Sequence, residues 1–163
     1  MSRPRAILLI YGEGGHRAQM KRLYDHLKPG LDRRELRVVG ICENNDALDG
    51  IPSLSQGGMR DKHSRLKSLI TLPLGLLSST LLVIRLIARY RIVGVISTGP
   101  GIAVVPSILL RLMGTRIVFL ESWSRFETCS MTGRVMSRVA HRFYIQNRSL
   151  EKHYHGSHYG GLL

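Results

Sequence analysis

RAILLIYGEGGHRAQM, residues 5–20, is the stretch on which the fold turns. After Arg5 it is apolar up to Tyr11 and then runs into a glycine cluster, the pattern of a strand buried on both faces of a parallel sheet. Beyond the glycines, Met20, Leu23, Tyr24 and Leu27 fall at i, i+3, i+4 and i+7, which predicts an amphipathic helix that stops at Pro29 and Gly30. The chain thus opens with a strand, a glycine turn and a helix. The free N–H groups at such a helix start favour an anion.

Working outward, LRVVGIC (36–42) reads as a second strand, and the polar, glycine-containing stretch 43–64 reads as loop. IVGVIS (92–97), TRIVFLE (115–121) and RFYIQ (142–146) are further strands, with helices predicted over IAVVPSILLRLM (102–113) and MTGRVMSRVA (131–140). Strands alternating with helices predict an α/β fold, a Rossmann-like doubly wound parallel sheet, because parallel neighbours need crossover connections. There is no internal repeat and no low-complexity tract.

At 163 residues the chain is long enough for one domain and too short for two substantial lobes. It carries 24 Lys and Arg against 11 Asp and Glu, a net charge of +13, so an anionic partner is expected. Aromatic residues make up only 6% and no stretch interleaves them with basic ones, which argues against nucleic acid. Cys42 and Cys129 have no CxxC or His-partnered spacing, so both read as free thiols in a reducing compartment, and no metal site emerges from the His, Cys or Asp spacing. The short apolar run of MSRPRAILLIYGEGG leads into a glycine turn and not into a cleavage site, which predicts a cytoplasmic or cytoplasm-facing protein.

One segment fits a soluble sheet poorly. LITLPLGLLSSTLLVIRLIARYR (69–91) is apolar almost all round, yet its uncharged part, Leu69 to Ile84, is interrupted by Pro73 and Gly75 and is shorter than the roughly 20 residues that span a bilayer. Arg60, Lys62, Arg65 and Lys67 precede it, and Arg85, Arg89 and Arg91 close it. A greasy helix bracketed by cations suits an anionic headgroup region, so a membrane-associating segment is expected over 60–91. The alternative is a buried crossover helix with solvated arginines.

Three turns stand at the predicted carboxyl ends of strands, where open α/β sheets bind ligands. The first holds Gly12, Gly14, Gly15 and His16; as a dinucleotide fingerprint it is incomplete, since Arg17 replaces the third glycine and Glu43 is misplaced for a ribose-binding acid. His16 suits a ligand edge, donating to a phosphate or moving a proton. The second is STGPG (97–101), with Gly99 and Gly101 in a tight turn. The third is FLESWSRFETCSMTGR (119–134), in which Glu121 closes a strand and Ser122, Trp123, Ser124 and Arg125 follow. Glu121 reads either as a general base or hydroxyl binder, or as a carboxylate paired with Arg125 or capping the next segment.

Taken together, GxGGH, STGPG before a VP-containing helix, and ESWSR followed by S-x-TGR resemble the acceptor-side, membrane-associating subunit of the two-component UDP-N-acetylglucosamine transferase of asparagine-linked glycan synthesis, and more closely its bacterial counterparts in exopolysaccharide and capsule synthesis. The resemblance extends through RFYIQNRSLEKHYHGSHYGGLL (142–163). It implies that residues 1–163 form a single lobe equivalent to the N-terminal, acceptor lobe of an inverting GT-B glycosyltransferase. A separate small subunit would bind the UDP-sugar, and no other cofactor is implied. Gly12, Gly14, Gly15, Gly99, Gly101, Ser122 and Arg125 would line the cleft for a polyprenyl-diphosphate-linked saccharide, and Tyr159 and Gly161 would belong to a tail that meets the partner. The eukaryotic pattern commonly has Glu where this chain has Gln19, and its N-terminal transmembrane anchor is not expected in this chain, which leaves the 69–91 segment and surface cations to hold the membrane. The resemblance therefore implies a hexosyltransferase complex at the cytoplasmic face of the inner membrane, inactive without its partner.

An inverting transfer needs a base for the acceptor hydroxyl and stabilisation of the departing UDP. His16 and Glu121 both qualify as the base on sequence grounds. Two other functions are compatible with the residues: a non-catalytic membrane scaffold that activates a partner transferase, and a nucleotide-binding enzyme working alone.

Overall fold

Each of the five apolar runs forms a strand of one parallel sheet. The computed structural model describes residues 3–57 and 65–163, with the backbone alone over 65–73. In chain order the elements are β1 (Arg5–Tyr11), α1 (Gly15–Asp32), β2 (Arg37–Glu43), β3 (Ser53–Gln56), α2 (Arg65–Arg89), β4 (Arg91–Ser97), a 3-10 turn (Gly101–Ala103) leading into α3 (Val104–Leu112), β5 (Arg116–Leu120), α4 (Met131–Val139), β6 (Arg142–Ile145) and β7 (His158–Tyr159).

The seven strands lie in the order β3-β2-β1-β4-β5-β6-β7, and every pairing is parallel. The chain winds outward from β1 to β3, returns through α2 to place β4 beside β1, and then winds out the other way. That reversal puts a topological switch point between β1 and β4, with the loops after both strands at its mouth.

Strand alternation divides the core in two. Leu8, Ile10, Val39, Ile41, Val95, Ile117, Phe119 and Ile145 pack under α2, α3 and α4. Leu9, Tyr11 and Cys42 face α1, which closes over them with Met20, Leu23 and Tyr24. The predicted stripe of α1 is thus its buried face.

Four details differ from the sequence reading. The stretch 43–64 is not all loop: within it, Ser53–Gln56 forms β3, whose Gln56 side chain donates to Ser79 Oγ of α2; residues 58–64 lie outside the described residues. Its sequence SLSQ has one apolar residue, so pairing with β2 and not hydrophobic patterning makes it a strand. Secondly, α1 does not stop at Pro29 but runs on to Asp32. A proline lacks a donor yet keeps its carbonyl, and here that carbonyl accepts Arg33 N–H at 3.3 Å in the closing turn. The helix predicted over 102–113 is the third, opening as a 3-10 turn before α3. Finally, β7 pairs His158 and Tyr159 with Tyr144 and Ile145, in a stretch with no strand signal.

The segment 69–91 is the crossover from β3 to β4. Ser79, Leu82, Val83 and Leu86 form its buried stripe, while Leu74, Leu77, Leu81 and Ile84 project outward. Arg60 and Lys62 lie outside the described residues, and Arg65 and Lys67 stand in the first turn of α2. No helix among the described residues is long and apolar enough to cross a membrane.

The sheet tolerates little extra volume at Gly40 of β2, where an added Cβ would stand 3.1 Å from Ser53 Cβ and 3.3 Å from Tyr11 Oη while meeting Ser53 Oγ more closely still. Gly40→Ala is therefore expected to destabilise the protein by roughly 1–3 kcal/mol through overpacking against β3. Denaturant unfolding with an unchanged slope checks it.

Candidate active site

Helix α1 begins directly off β1, and its N-terminal residue Gly14 adopts φ +56 with no side chain capping the helix. Its first turn holds no acidic residue, and the positive end of the helix dipole faces the crevice, with Glu13 just ahead of Gly14 in the chain. Gly12 is buried because a Cβ there would stand 2.7 Å from Glu43 Oε2 and 3.1 Å from Pro100 Cβ. This glycine lets the first and second loops touch. Arg17, at the place of the missing third glycine, turns away to Asp46 at 3.0 Å and to the Ala47 carbonyl.

His16 is held from both ends by Thr98, the residue that follows β4. Its Nδ1 lies 2.5 Å from the Thr98 carbonyl oxygen, and Thr98 Oγ1 donates to the His16 carbonyl at 2.9 Å. A carbonyl can only accept, so the proton sits on Nδ1 and the neutral ring keeps its lone pair on Nε2. Gly99 makes room for the ring: it has φ +108, and a Cβ on it would approach His16 Cε1 to 2.9 Å and Nδ1 to 3.2 Å. The same position is 3.8 Å from Ser122 N, so the three predicted loops converge at Gly99.

Glu121 lies beneath this meeting point and is fully buried. Its Oε1 accepts the Ser122 N–H at 2.9 Å, and its Oε2 accepts the hydroxyls of Ser130 at 2.9 Å and Tyr154 at 2.5 Å. Its main-chain carbonyl accepts the side-chain amides of Gln19 at 3.3 Å and Gln146 at 3.0 Å, which leaves the buried Gln19 Oε1 without a protein partner. Burial and the adjoining Glu121 carboxylate push the Tyr154 phenol far above its ordinary 10.0, so it stays a donor. Of the two bland alternatives for Glu121, capping describes the contacts and pairing with Arg125 does not: among the described residues Arg125 forms no salt bridge.

The third loop is tied down at its main chain. Asn147 Nδ2 donates to the carbonyls of Trp123 at 3.1 Å and Arg125 at 2.5 Å. The Trp123 indole Nε1 lies 3.5 Å from the place a Cβ on Gly15 would take, and the Arg22 guanidinium stands 5.1 Å over the ring. Ser122 Oγ shares a hydrogen bond with Ser124, and the Arg125 residue is exposed.

The fold therefore brings together Gly12, Gly14, Gly15, His16, Gly99 and Ser122, with Glu121 below them and Arg125 on the outer lip. Gly101 is exposed at the start of the 3-10 turn, with Thr132 Oγ1 at the limit of contact. Tyr159 and Gly161 stand apart, at the β7 edge, where Tyr159 stacks with Arg148 at 4.4 Å. From there the tail returns: Leu163 N donates to Gln146 Oε1, and Arg22 donates to the Leu163 carbonyl. Sequence reasoning missed Thr98, Tyr154, Asn147 and Gln146. It quoted Ser130 and Gly133 only as part of a motif, although a serine directly before a helix is a capping signal.

Residues 59–163 match the model of the family described as oligosaccharide biosynthesis protein Alg14 like. The chain is 30% identical over 170 residues to the UDP-N-acetylglucosamine transferase subunit ALG14 of Cryptococcus neoformans var. neoformans serotype D (strain JEC21), covering 85% of this chain and 72% of that protein. To the human UDP-N-acetylglucosamine transferase subunit ALG14 it is 29% identical over 178 residues, covering 97% and 82%. In three dimensions it superposes on the crystal structure of Acinetobacter baumannii MurG with a TM-score of 0.63 at 17% identity, over 87% of this chain. The match covers only 41% of the MurG chain, so this protein corresponds to about two fifths of that length.

Because Gly99 combines a left-handed φ with the closest approach to His16, Gly99→Ala is expected to destabilise the fold by roughly 1–3 kcal/mol and to displace the imidazole. Histidine side-chain NMR would show it as shifted His16 resonances with the other histidines unmoved.

Proposed function

The chain belongs to the Alg14-like family of oligosaccharide biosynthesis proteins, and from that premise we propose that residues 1–163 are the acceptor-side lobe of a two-component inverting glycosyltransferase. A separate donor-binding subunit supplies the UDP-sugar, and the acceptor is a polyprenyl-diphosphate-linked saccharide of exopolysaccharide or capsule synthesis. The observation that carries this reading is the His16–Thr98–Gly99 clamp beside the uncapped start of α1. The division of labour is supported by size, since the match covers 41% of MurG and the described residues contain one sheet with one switch-point crevice.

In this reading the amides at the start of α1, with Gly14 and Gly15, hold the acceptor diphosphate, and the Gly99–Gly101 turn and Ser122 line the opposite wall. Arg125 adds positive charge at the lip. His16 Nε2 takes the proton from the acceptor hydroxyl, whose oxygen attacks the anomeric carbon as the bond to UDP breaks with its electron pair leaving on the diphosphate. The proton on Nδ1 stays there, donated to the Thr98 carbonyl, which steadies the imidazolium that forms. Stabilisation of UDP falls to the partner, which docks against the tail that carries Tyr159 and Gly161.

The outer layer of helices supports attachment to the cytoplasmic face of an anionic membrane. Leu74, Leu77, Leu81 and Ile84 of α2 project beside Leu112 of α3 and Met131 of α4, with exposures from 48% to 80%. The sequences of these three helices contain no acidic residue, while Arg85, Arg89, Arg111, Arg134 and Arg138 are spread among them. Exposed apolar side chains interspersed with uncompensated cations match lipid headgroups, each basic residue contributing about 1 kcal/mol near an anionic surface.

Two experiments test these readings. Sugar transfer from a panel of radiolabelled UDP-sugars to polyprenyl-diphosphate saccharides is expected only when the chain is co-expressed with its donor-binding subunit, and His16→Ala should lower kcat by roughly 10²–10⁴. Normal turnover by His16→Ala with partner binding intact would instead make the chain a scaffold. In flotation assays the protein should bind phosphatidylglycerol vesicles, bind phosphatidylcholine vesicles weakly, and lose binding when Leu77 and Leu81 are both changed to Glu.

A further inference from the structure

The carboxylate of Glu121 is withdrawn from solvent, and both of its oxygens accept hydrogen bonds from protein donors. We propose that Glu121 is a positioning residue, the internal anion of helix α4, which holds the loop bearing Ser122, Trp123 and Arg125 against the first turn of α1. The inference rests on the transferase reading only for its kinetic consequence; the positioning itself is independent of it.

Four observations carry it. Glu121 has zero exposure, so no acceptor hydroxyl reaches its oxygens, whereas His16 Nε2 belongs to a half-buried ring on the crevice wall. Among the described residues the carboxylate has no cationic partner, and a buried charge without one requires donors or a dipole. Both are present: Ser130 is the N-cap of α4, accepting Gly133 N–H at 2.7 Å while donating to Glu121, and so couples the carboxylate to the positive end of that helix. Gly133 is what makes this possible, because a Cβ there would collide with Glu121 Oε2, Tyr154 Oη and Ser130 Oγ at once.

The contacts also connect the separate parts of the crevice wall. Through the carboxylate, Tyr154 brings in the segment beyond β6 and the Ser122 N–H the start of the loop, while the main-chain carbonyl of the same residue takes Gln19 of α1 and Gln146 just after β6. Asn147 secures the same loop at the carbonyls of Trp123 and Arg125. With Ser122 N beside Gly99 and the Trp123 indole beside Gly15, a loop released from Glu121 would move away from both.

Trp123 is the only tryptophan of the chain and stands in that loop, so its fluorescence reports the anchoring directly. Acrylamide quenching and emission would be measured on the full chain for wild type and for Glu121→Ala, Glu121→Gln, Ser130→Ala and Tyr154→Phe, with circular dichroism to verify folding. Stronger quenching and red-shifted emission are expected for Glu121→Ala and Tyr154→Phe, and the double variant should be no worse than Glu121→Ala alone. Glu121→Gln should fall between wild type and Glu121→Ala, because the amide oxygen still accepts from Ser122 and the two hydroxyls can rotate to accept, while the charge facing the start of α4 is lost. If Glu121→Ala fails to fold, Tyr154→Phe and Ser130→Ala carry the test. An unchanged Trp123 signal in folded variants would overturn the proposal. In the reconstituted complex, Glu121→Gln should keep kcat within about tenfold with an unaltered pH profile, while a loss of roughly 10²–10⁴ with an unmoved tryptophan signal would make Glu121 the base and overturn it equally. A wild-type complex without transfer would count against the transferase reading and leave the fluorescence result to decide the anchoring.

Discussion

The parallel pairing of β1 with β4 is the constraint from which the rest follows. These strands are separated in sequence by two further strands and by the helices α1 and α2, yet Ala6 to Ile10 run alongside Ile92 to Ser97. Parallel neighbours cannot be joined by a hairpin, so α2 must cross over one face of the sheet to bring β4 into place. Once it does, the glycine turn after β1 and the turn after β4 emerge side by side, and residues 82 positions apart, His16 and Thr98, exchange hydrogen bonds. The crevice is thus a product of strand order, and the side chains in it are secondary to that order.

The two faces of the sheet differ in what covers them and in charge. One bears α1, which carries Asp25 and Asp32 among its bases. The other bears α2, α3 and α4, in which no acid occurs. A net charge of +13 is therefore distributed unevenly, and the acid-free layer is also the one with outward Leu and Ile. Apolar area and positive charge on the same surface are unfavourable in water and complementary to lipid headgroups. The crevice opens at the ends of the strands and leaves this layer free.

Much of the architecture was legible because a buried parallel strand needs an apolar run, and RAILLIY, RVVGIC and IVGVIS are such runs. The edges were not. β3 and β7 are held by neighbours on one side only, and sequences as polar as SLSQ and HY carry no periodic signal. In the site, glycines at strand ends identified the loops that meet, since close approach of backbones excludes a Cβ. What escaped reading was the network below them. Tyr154 reaches Glu121 across 33 residues of chain, and Gln146 across 25, with no local pattern to announce either contact. The identity of Glu121 was visible, while its environment depended on tertiary structure alone.

The grip on the imidazole has a consequence for how this protein can vary. The acceptor of the His16 Nδ1 proton is a main-chain oxygen, which every amino acid possesses, so no single replacement at position 98 can delete it. In many enzymes a carboxylate performs that office and can be lost by one codon change. Here the orientation of the ring is inherited from the path of the backbone and is altered by whatever shifts β4 against β1 or crowds the ring from Gly99. Stability of the sheet and orientation of the histidine are in this way one property, to which the buried Thr98 hydroxyl adds a second tie, the one part of the grip that a replacement at residue 98 removes.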